Sequence, residues 1–287
     1  MFIKSDNSRV SMLTLAFYQQ NIVWEAPQAN HRAVEQAFEQ TIGSGTHPDI
    51  LVVPETFNTG FSDTMAQMAE EPQGPTYAFA LRMAQRYNAL FIGTWTVRQG
   101  SNVYNRLHWV APDGSVGHYD KAHTFRMSSE ATQLVAGTRR TTFEWRGWRI
   151  KPAVCYDLRF PLWLRNQSRG GLIKDKAPHP AELNPQLDYD LLLICANWPA
   201  SRHRAWITLL EARAIENQCY VLGVNRVGTD GVGIPYSGNS AAYDFKGLPV
   251  VEAQPCTEQV KVAQLDMQEL HRFRQHWPFW LDADDEC

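Results

Sequence analysis

Leu191-Leu-Leu-Ile-Cys-Ala196 is a run of six residues without one polar side chain. Side chains alternate between faces along a strand, so such a strand must be covered on both sides. A sheet buried between layers satisfies that demand, and the rest of the chain supplies the layers. Strands are predicted over Ser11–Gln19, Ile50–Val53, Ala89–Val97, Val103–Val110, Ser115–Tyr119, Thr141–Trp145, Trp148–Val154, Leu191–Ala196 and Tyr220–Asn225. Shorter ones are predicted at Ser240–Asp244, Pro249–Glu252 and Gln259–Gln264. Helices are predicted over Ala26–Thr41, Thr76–Tyr87 and Ser201–Asn217. In the first of these Ala29, Ala33, Val34, Ala37 and Phe38 recur at helical spacing. The Ala-Pro-Asp-Gly stretch at 111–114 and Arg146-Gly147 read as hairpin turns, which makes the sheet mixed. The order of elements predicts an α/β layered fold. Its 287 residues are expected to form one domain, with a core over about 11–280. Gln167–Asp188, rich in glycine, proline and mixed charge, reads as an inserted surface loop, and 281–287 as an acidic tail.

Composition narrows the function. A net charge of −3 and a pI near 6.3 argue against a nucleic-acid binder. No apolar run reaches the ~18 residues of a membrane span. Met12–Tyr18 is too short for a secretory core and lacks a small-residue cleavage site after it, so the expected location is the cytoplasm. The five cysteines, Cys155, Cys195, Cys219, Cys256 and Cys287, form no disulfide framework and no C-x-x-C pair, and the nine histidines include no H-E-x-x-H. Neither a metal nor another cofactor is called for. Gly228-Thr-Asp-Gly-Val-Gly233 has the wrong glycine order for a dinucleotide fingerprint and is followed by Pro235, so it reads as loop.

Three strands run straight into a reactive or polar group: Ile50-Leu-Val-Val-Pro-Glu55, Ile150-Lys-Pro-Ala-Val-Cys155 and Leu191–Ala196 with Asn197-Trp198-Pro199 behind it. A fourth stretch, Gly117-His-Tyr-Asp-Lys121-Ala-His123, ends a strand in a charged pair. Sites in open α/β sheets gather outside the carboxyl ends of strands. Together these residues meet the needs of hydrolysing a carbon–nitrogen bond. Cys155 is a nucleophile, Glu55 a base that ionises it and then serves the departing amine, and Lys121 a cation for the oxyanion beside the N–H of Tyr156.

The motifs V-V-P-E-T-F around Glu55, Y-D-K-A-H around Lys121 and V-C-Y-D-L-R-F-P around Cys155 resemble those of the nitrilase superfamily of carbon–nitrogen hydrolases. The resemblance runs from the first strand to about Trp280. The later stretch A-N-W-P-A-S-R, A-R-A-I-E-N-Q and N-R-V-G-T-D-G resembles the omega-amidase branch. The resemblance implies a four-layer α-β-β-α sandwich, a Glu55–Lys121–Cys155 triad and a second acidic residue at Glu130. It implies hydrolysis of the omega-amide of a small 2-oxo acid, such as 2-oxoglutaramate or 2-oxosuccinamate, without a cofactor. It also implies a homodimer or higher assembly, with Ala205–Asn217 and Phe160–Gln167 as contact candidates. Ala153 stands where many relatives have glycine, and the 167–188 insertion has no counterpart in this resemblance.

An acidic substrate needs a carboxylate receptor, and the planar fork of arginine suits it. Arg202 is the first candidate and Arg159 the second, although Arg159 also suits a salt bridge with Asp157. Trp198 and Asn197 are candidates to wall the pocket. His123 and His203 read as structural rather than as a Cys–His pair. The alternatives are a carbamoylase, an aliphatic amidase or a nitrilase with the same triad, or a catalytically silent scaffold.

Overall fold

The computed structural model describes residues 11–42, 45–167 and 187–282. The inserted loop therefore lies outside the described residues over 168–186, as does the acidic tail over 283–287. Two six-stranded mixed sheets make up the centre. The first has β1 (Met12–Gln19), β2 (Ile50–Val52), β3 (Leu90–Gln99), β4 (Asn102–Val110), β5 (Val116–Asp120) and β14 (Gln259–Asp266), in the order β14-β1-β2-β3-β4-β5. The second has β6 (Phe143–Trp145), β7 (Trp148–Val154), β8 (Leu191–Ala196), β9 (Tyr220–Asn225), β12 (Ala241–Tyr243) and β13 (Pro249–Glu252), in the order β13-β12-β9-β8-β7-β6. A separate ribbon pairs β10 (Val227–Thr229) with β11 (Pro235–Ser237).

The all-apolar strand β8 shows how the layers form. Leu191, Leu193 and Cys195 of β8 face the first sheet, against Leu13, Leu15, Phe17, Ile50 and Val52. Leu192, Ile194 and Ala196 face outward, against Trp206, Leu210 and Ala214 of α5 (His203–Asn217). The first sheet is covered in the same way on its outer side. Val34 and Phe38 of α1 (Pro27–Thr41) and Phe79, Ala80 and Met83 of α2 (Pro75–Tyr87) pack on Ala16, Leu51, Val53 and Phe91. The result is the four-layer α-β-β-α sandwich. Each fully buried aliphatic side chain in these layers contributes about 1.5–3 kcal/mol. Among the described residues no helix is long and apolar enough to cross a membrane.

Local chemistry sets the element ends. Pro27 and Pro75 open α1 and α2, where a missing N–H costs nothing. Asn88, in the left-handed conformation, closes α2. Gly93 of β3 has a steric reason: a Cβ there would meet Val53 Cγ2 at 2.4 Å. The Gly228–Gly233 stretch, read as loop, begins inside β10, and the turn proper spans Asp230–Ile234. The pairing goes with a close approach, because a Cβ on Gly228 would lie 2.0 Å from Asn21 Oδ1. Ala153, in place of glycine, is buried in β7 opposite Ile194 and its methyl packs in the outer core. Three short helices also form: α3 (Glu130–Gln133), α4 (Pro161–Leu164) and α6 (Met267–His276). The sequence reading had no helix at α6. Asp266 caps it, accepting from Gln268 N and Glu269 N.

The buried face of α6 is closed by an arginine. Arg274 is fully buried and donates to Asp190 Oδ1 at 2.7 Å, to Tyr189 O and to Gln218 O. Arg149 donates to both oxygens of the same Asp190. Burial alone would raise the Asp190 pKa, but Arg149 and Arg274 outweigh it and hold the carboxyl below its ordinary value. A depressed carboxylate stabilises the fold above its unfolded pKa of ~3.9, and that stability is lost as pH falls through the folded value. Arg274→Met is expected to destabilise by about 3 kcal/mol in urea unfolding at pH 7. It should also move the acid-unfolding midpoint to higher pH, because Asp190 then protonates sooner. An unchanged acid midpoint would remove Arg274 from this linkage.

Candidate active site

Glu55, Lys121, Glu130 and Cys155 meet at the carboxyl ends of the strands, across the seam between the sheets. Glu55 follows β2 and Thr56 behind it adopts φ +41°, so the chain turns sharply there. Thr56 N donates to Thr94 Oγ1 at 2.7 Å, and Gly60 N to Thr56 O at 2.7 Å, which holds the turn. Lys121 follows β5 and its N–H donates to Asn105 O. Cys155 ends β7 with φ +45° and starts a short 3-10 turn, Cys155–Arg159.

The side chains form one buried network. Lys121 Nζ donates to Glu55 Oε1 at 2.9 Å and to both oxygens of Glu130 at 2.9 Å. Asn105 Nδ2 bridges the same two carboxylates, at 2.8 Å from Glu55 Oε1 and 2.9 Å from Glu130 Oε1. Glu55 Oε2 accepts from Asn197 N at 2.8 Å, and Glu130 Oε2 from Phe125 N at 2.6 Å. Asn197 Nδ2 donates to Glu55 O and Thr56 Oγ1. Lys121 is 1% exposed, and Glu55 and Glu130 are fully buried. The second acidic residue thus shares its cation with the first.

Electrostatics follows from this packing. Burial alone would lower the Lys121 pKa, but Glu130 and Glu55 outweigh it and move it upward, so the ammonium persists. The Cys155 thiol is pushed up, by burial first and then by Glu55 and Glu130, with Lys121 opposing. The thiol therefore rests protonated.

Cys155, Lys121 and Asn197 open into a cavity of about 420 Å³. Its walls include the aromatic side chains of Trp24, Phe61, Phe125, Tyr156, Trp198 and Tyr236. Trp198 both packs, 5.6 Å from the Trp206 ring, and lines the cavity, with its Nε1 donating to Arg202 O. Arg159 and Arg202 also line it. The Arg159 guanidinium lies 5.0 Å over the Trp198 ring, and that of Arg202 lies 5.5 Å over Phe125. Among the described residues neither has an ion-pair partner. The salt bridge between Arg159 and Asp157 does not form: Arg159 is exposed, whereas Asp157 is buried against Tyr119, His123 and Val154. His123 bonds Asp157 through Nδ1, and His203 bonds Ala200 O, so neither lies beside the thiol as a base. Sequence reasoning missed Asn105, Trp24, Phe61, Asp63, Asp230 and Tyr236. Asn105 did carry a signal, as a strand-depleted residue inside a predicted strand.

The arrangement sets a thiol, a carboxylate and a buried ammonium beside a cavity, a combination suited to amide hydrolysis. Residues 14–275 match the carbon–nitrogen hydrolase family, and the chain belongs to it. Omega-amidase YafV of Yersinia enterocolitica is 40% identical over 275 residues, covering 96% of this chain and 98% of the relative. The 2-oxoglutaramate amidase of Bacillus subtilis is 29% identical over 94% and 96% of the two chains. A CN-hydrolase superfamily protein from Xanthomonas campestris, whose crystal structure has an arsenic adduct in the active site, superposes with a TM-score of 0.88. It is 40% identical and covers 96% of this chain and 98% of that one.

Removing the shared cation should expose its structural weight. Lys121→Met leaves two buried carboxylates bridged only by Asn105, and one of them must gain a proton. A carboxyl with a raised folded pKa stabilises only at low pH. The loss in stability is therefore expected to be about 3–5 kcal/mol at pH 8 and smaller at pH 5, with partial recovery on adding Glu130→Gln. Equal losses at both pH values would contradict the shared-cation picture.

Proposed function

We propose that this chain is an omega-amidase: it hydrolyses the terminal amide of a small 2-oxo dicarboxylic acid monoamide and releases ammonia. The observation that carries the reading is the buried Glu55–Lys121 pair beside Cys155, at a cavity lined by Arg159 and Arg202, which have no ion-pair partner among the described residues. The omega-amidase relatives at 40% identity support it.

In the proposed reaction Glu55 takes the thiol proton as Sγ attacks the amide carbon. The carbonyl oxygen becomes an oxyanion held by the Lys121 ammonium and the Tyr156 N–H. The second N–H of a 3-10 or α-helical turn has no partner inside the turn, so the Tyr156 donor suits that task. Glu55 then gives its proton to the departing nitrogen, the carbon–nitrogen bond breaks, ammonia leaves and a thioester remains. Glu55 next takes a proton from water; the hydroxyl adds to the thioester carbon, and Cys155 leaves and regains its proton. Glu130 fixes the Lys121 ammonium beside Glu55 throughout. Arg202, helped by Arg159, receives the remote carboxylate, and Trp198 and Asn197 form the wall that orients the chain between the two ends. Stacking on Phe125 and Trp198 leaves the N–H edges of the guanidiniums free for two-point contact with a carboxylate.

The reaction is assigned to the cytoplasm and to a homodimer or larger assembly. Among the described residues Cys155, Cys195, Cys219 and Cys256 form no disulfide, which fits a reducing compartment. Exposed Leu162 on α4 and Ile215 on α5, on the segments singled out as contact candidates, support the assembly.

Ammonia release from 2-oxoglutaramate, beside succinamate, an N-carbamoyl amino acid and a simple nitrile, tests the reading. The oxo amide is expected to be preferred, with Cys155→Ala lowering turnover by at least about 10³-fold. Preference for another member of the panel would keep the triad and overturn the substrate. Arg202→Lys is expected to raise KM for an acidic amide about tenfold while leaving a neutral amide within about twofold. Equal effects on both would remove Arg202 from carboxylate binding.

A further inference from the structure

Asp157 is fully buried, does not line the cavity and has no part in the reaction above. Its two oxygens nevertheless collect four donors. Oδ2 accepts from Val154 N at 2.9 Å and from the Tyr119 hydroxyl at 2.9 Å. Oδ1 accepts from His123 N at 3.0 Å and lies 2.7 Å from His123 Nδ1. Val154 immediately precedes Cys155, and Tyr119 and His123 stand two residues to either side of Lys121. We propose that Asp157 is a positioning residue that sets the Cys155 thiol relative to the Lys121 ammonium, by tying the turn of one sheet to the strand end of the other. The proposal rests on Cys155 being the nucleophile.

Three features make this more than a fold contact. Cys155 is held at φ +45°, a conformation that costs a non-glycine residue about 1–2 kcal/mol and needs outside support. The Val154 N–H to Asp157 bond closes the turn over that residue and supplies such support. The donors are also oriented. The Tyr119 hydroxyl accepts from Trp163 Nε1 at 2.9 Å and Ala122 N at 3.3 Å, so its own proton is directed to Asp157. The His123 ring is stacked 3.7 Å from Phe160 and cannot swing away freely.

The third feature is the demand for a carboxylate in particular. A main-chain N–H points at each oxygen, Val154 N at Oδ2 and His123 N at Oδ1, and neither can rotate. An asparagine in either orientation would set its NH₂ against one of these fixed donors. A carboxylate is acceptor-only on both oxygens and meets all four donors. Asp157→Asn is nearly isosteric, so it isolates this requirement.

The test reads Cys155 directly, by the rate of iodoacetamide alkylation of its peptide under native conditions, followed by mass spectrometry. Asp157→Asn is expected to slow that alkylation and to lower kcat by about 10²-fold, the cost of displacing a reacting group by about an ångström, with KM within about twofold. A wild-type alkylation rate in Asp157→Asn would overturn the proposal, even with a lowered melting temperature. If Asp157→Asn does not fold, Tyr119→Phe removes one donor and leaves the carboxylate. Alkylation slowed several-fold supports the proposal, and an unchanged rate overturns it. Because alkylation needs no amide, wild-type protein that ignores 2-oxoglutaramate would sink the proposed function and leave this test standing.

Discussion

Lys121, only 1% exposed, sits between two buried carboxylates, and the rest of the site is arranged around that fact. An unpaired ammonium at this depth would be costly, and so would either carboxylate alone. The ammonium is kept charged by Glu130 and Glu55, whose combined pull exceeds the penalty of burial. Asn105 spans both carboxylates, and the main-chain N–H groups of Asn197 and Phe125 take up the remaining lone pairs. Every partner comes from a different element, so the network requires both sheets to be in place. Burial, with Glu55 and Glu130 adding to it, pushes the Cys155 thiol upward.

The sandwich provides that arrangement through strand direction. β7, β8 and β9 run parallel, and their carboxyl ends carry Cys155, Asn197 and Asn225 at one edge. β2 is parallel to β1 and β3 in the opposing sheet and delivers Glu55 to the same region. Asn225 joins the support, since Trp198 N donates to its Oδ1 and its Nδ2 donates to Trp198 O. The aromatic wall of the cavity is thus braced by main-chain bonds rather than by packing alone.

Much of this was legible in the sequence because burial and reactivity coincide there. The unbroken apolar run of β8 requires cover on both faces, and it has it. Glu55, Lys121 and Cys155 each stand just past a strand, where a side chain can reach the end of a sheet. What stayed hidden depends on contacts between residues far apart. α6 was missed because Arg274 completes its buried face, and the charge is admissible only beside Asp190, 84 residues away. Asp157 suggested a partner in Arg159 by proximity alone, yet the turn sends the two in opposite directions. The Gly228–Gly233 stretch, which holds most of β10, was read as loop because three-residue strands around a glycine-rich turn leave no periodicity. Glu130 lies in a segment with no strong pattern, and only the fold brings it to Lys121.

The central claim is that the buried carboxylates and ammonium serve a covalent step at Cys155. Its most direct measurement is intact-protein and peptide mass spectrometry after rapid quenching of the enzyme with 2-oxoglutaramate. The account predicts an acyl adduct, the substrate less ammonia, on the peptide containing Cys155, formed before steady-state product and absent in Cys155→Ala. Ammonia release at an undiminished rate from Cys155→Ala, with no adduct on the wild-type enzyme, would contradict it.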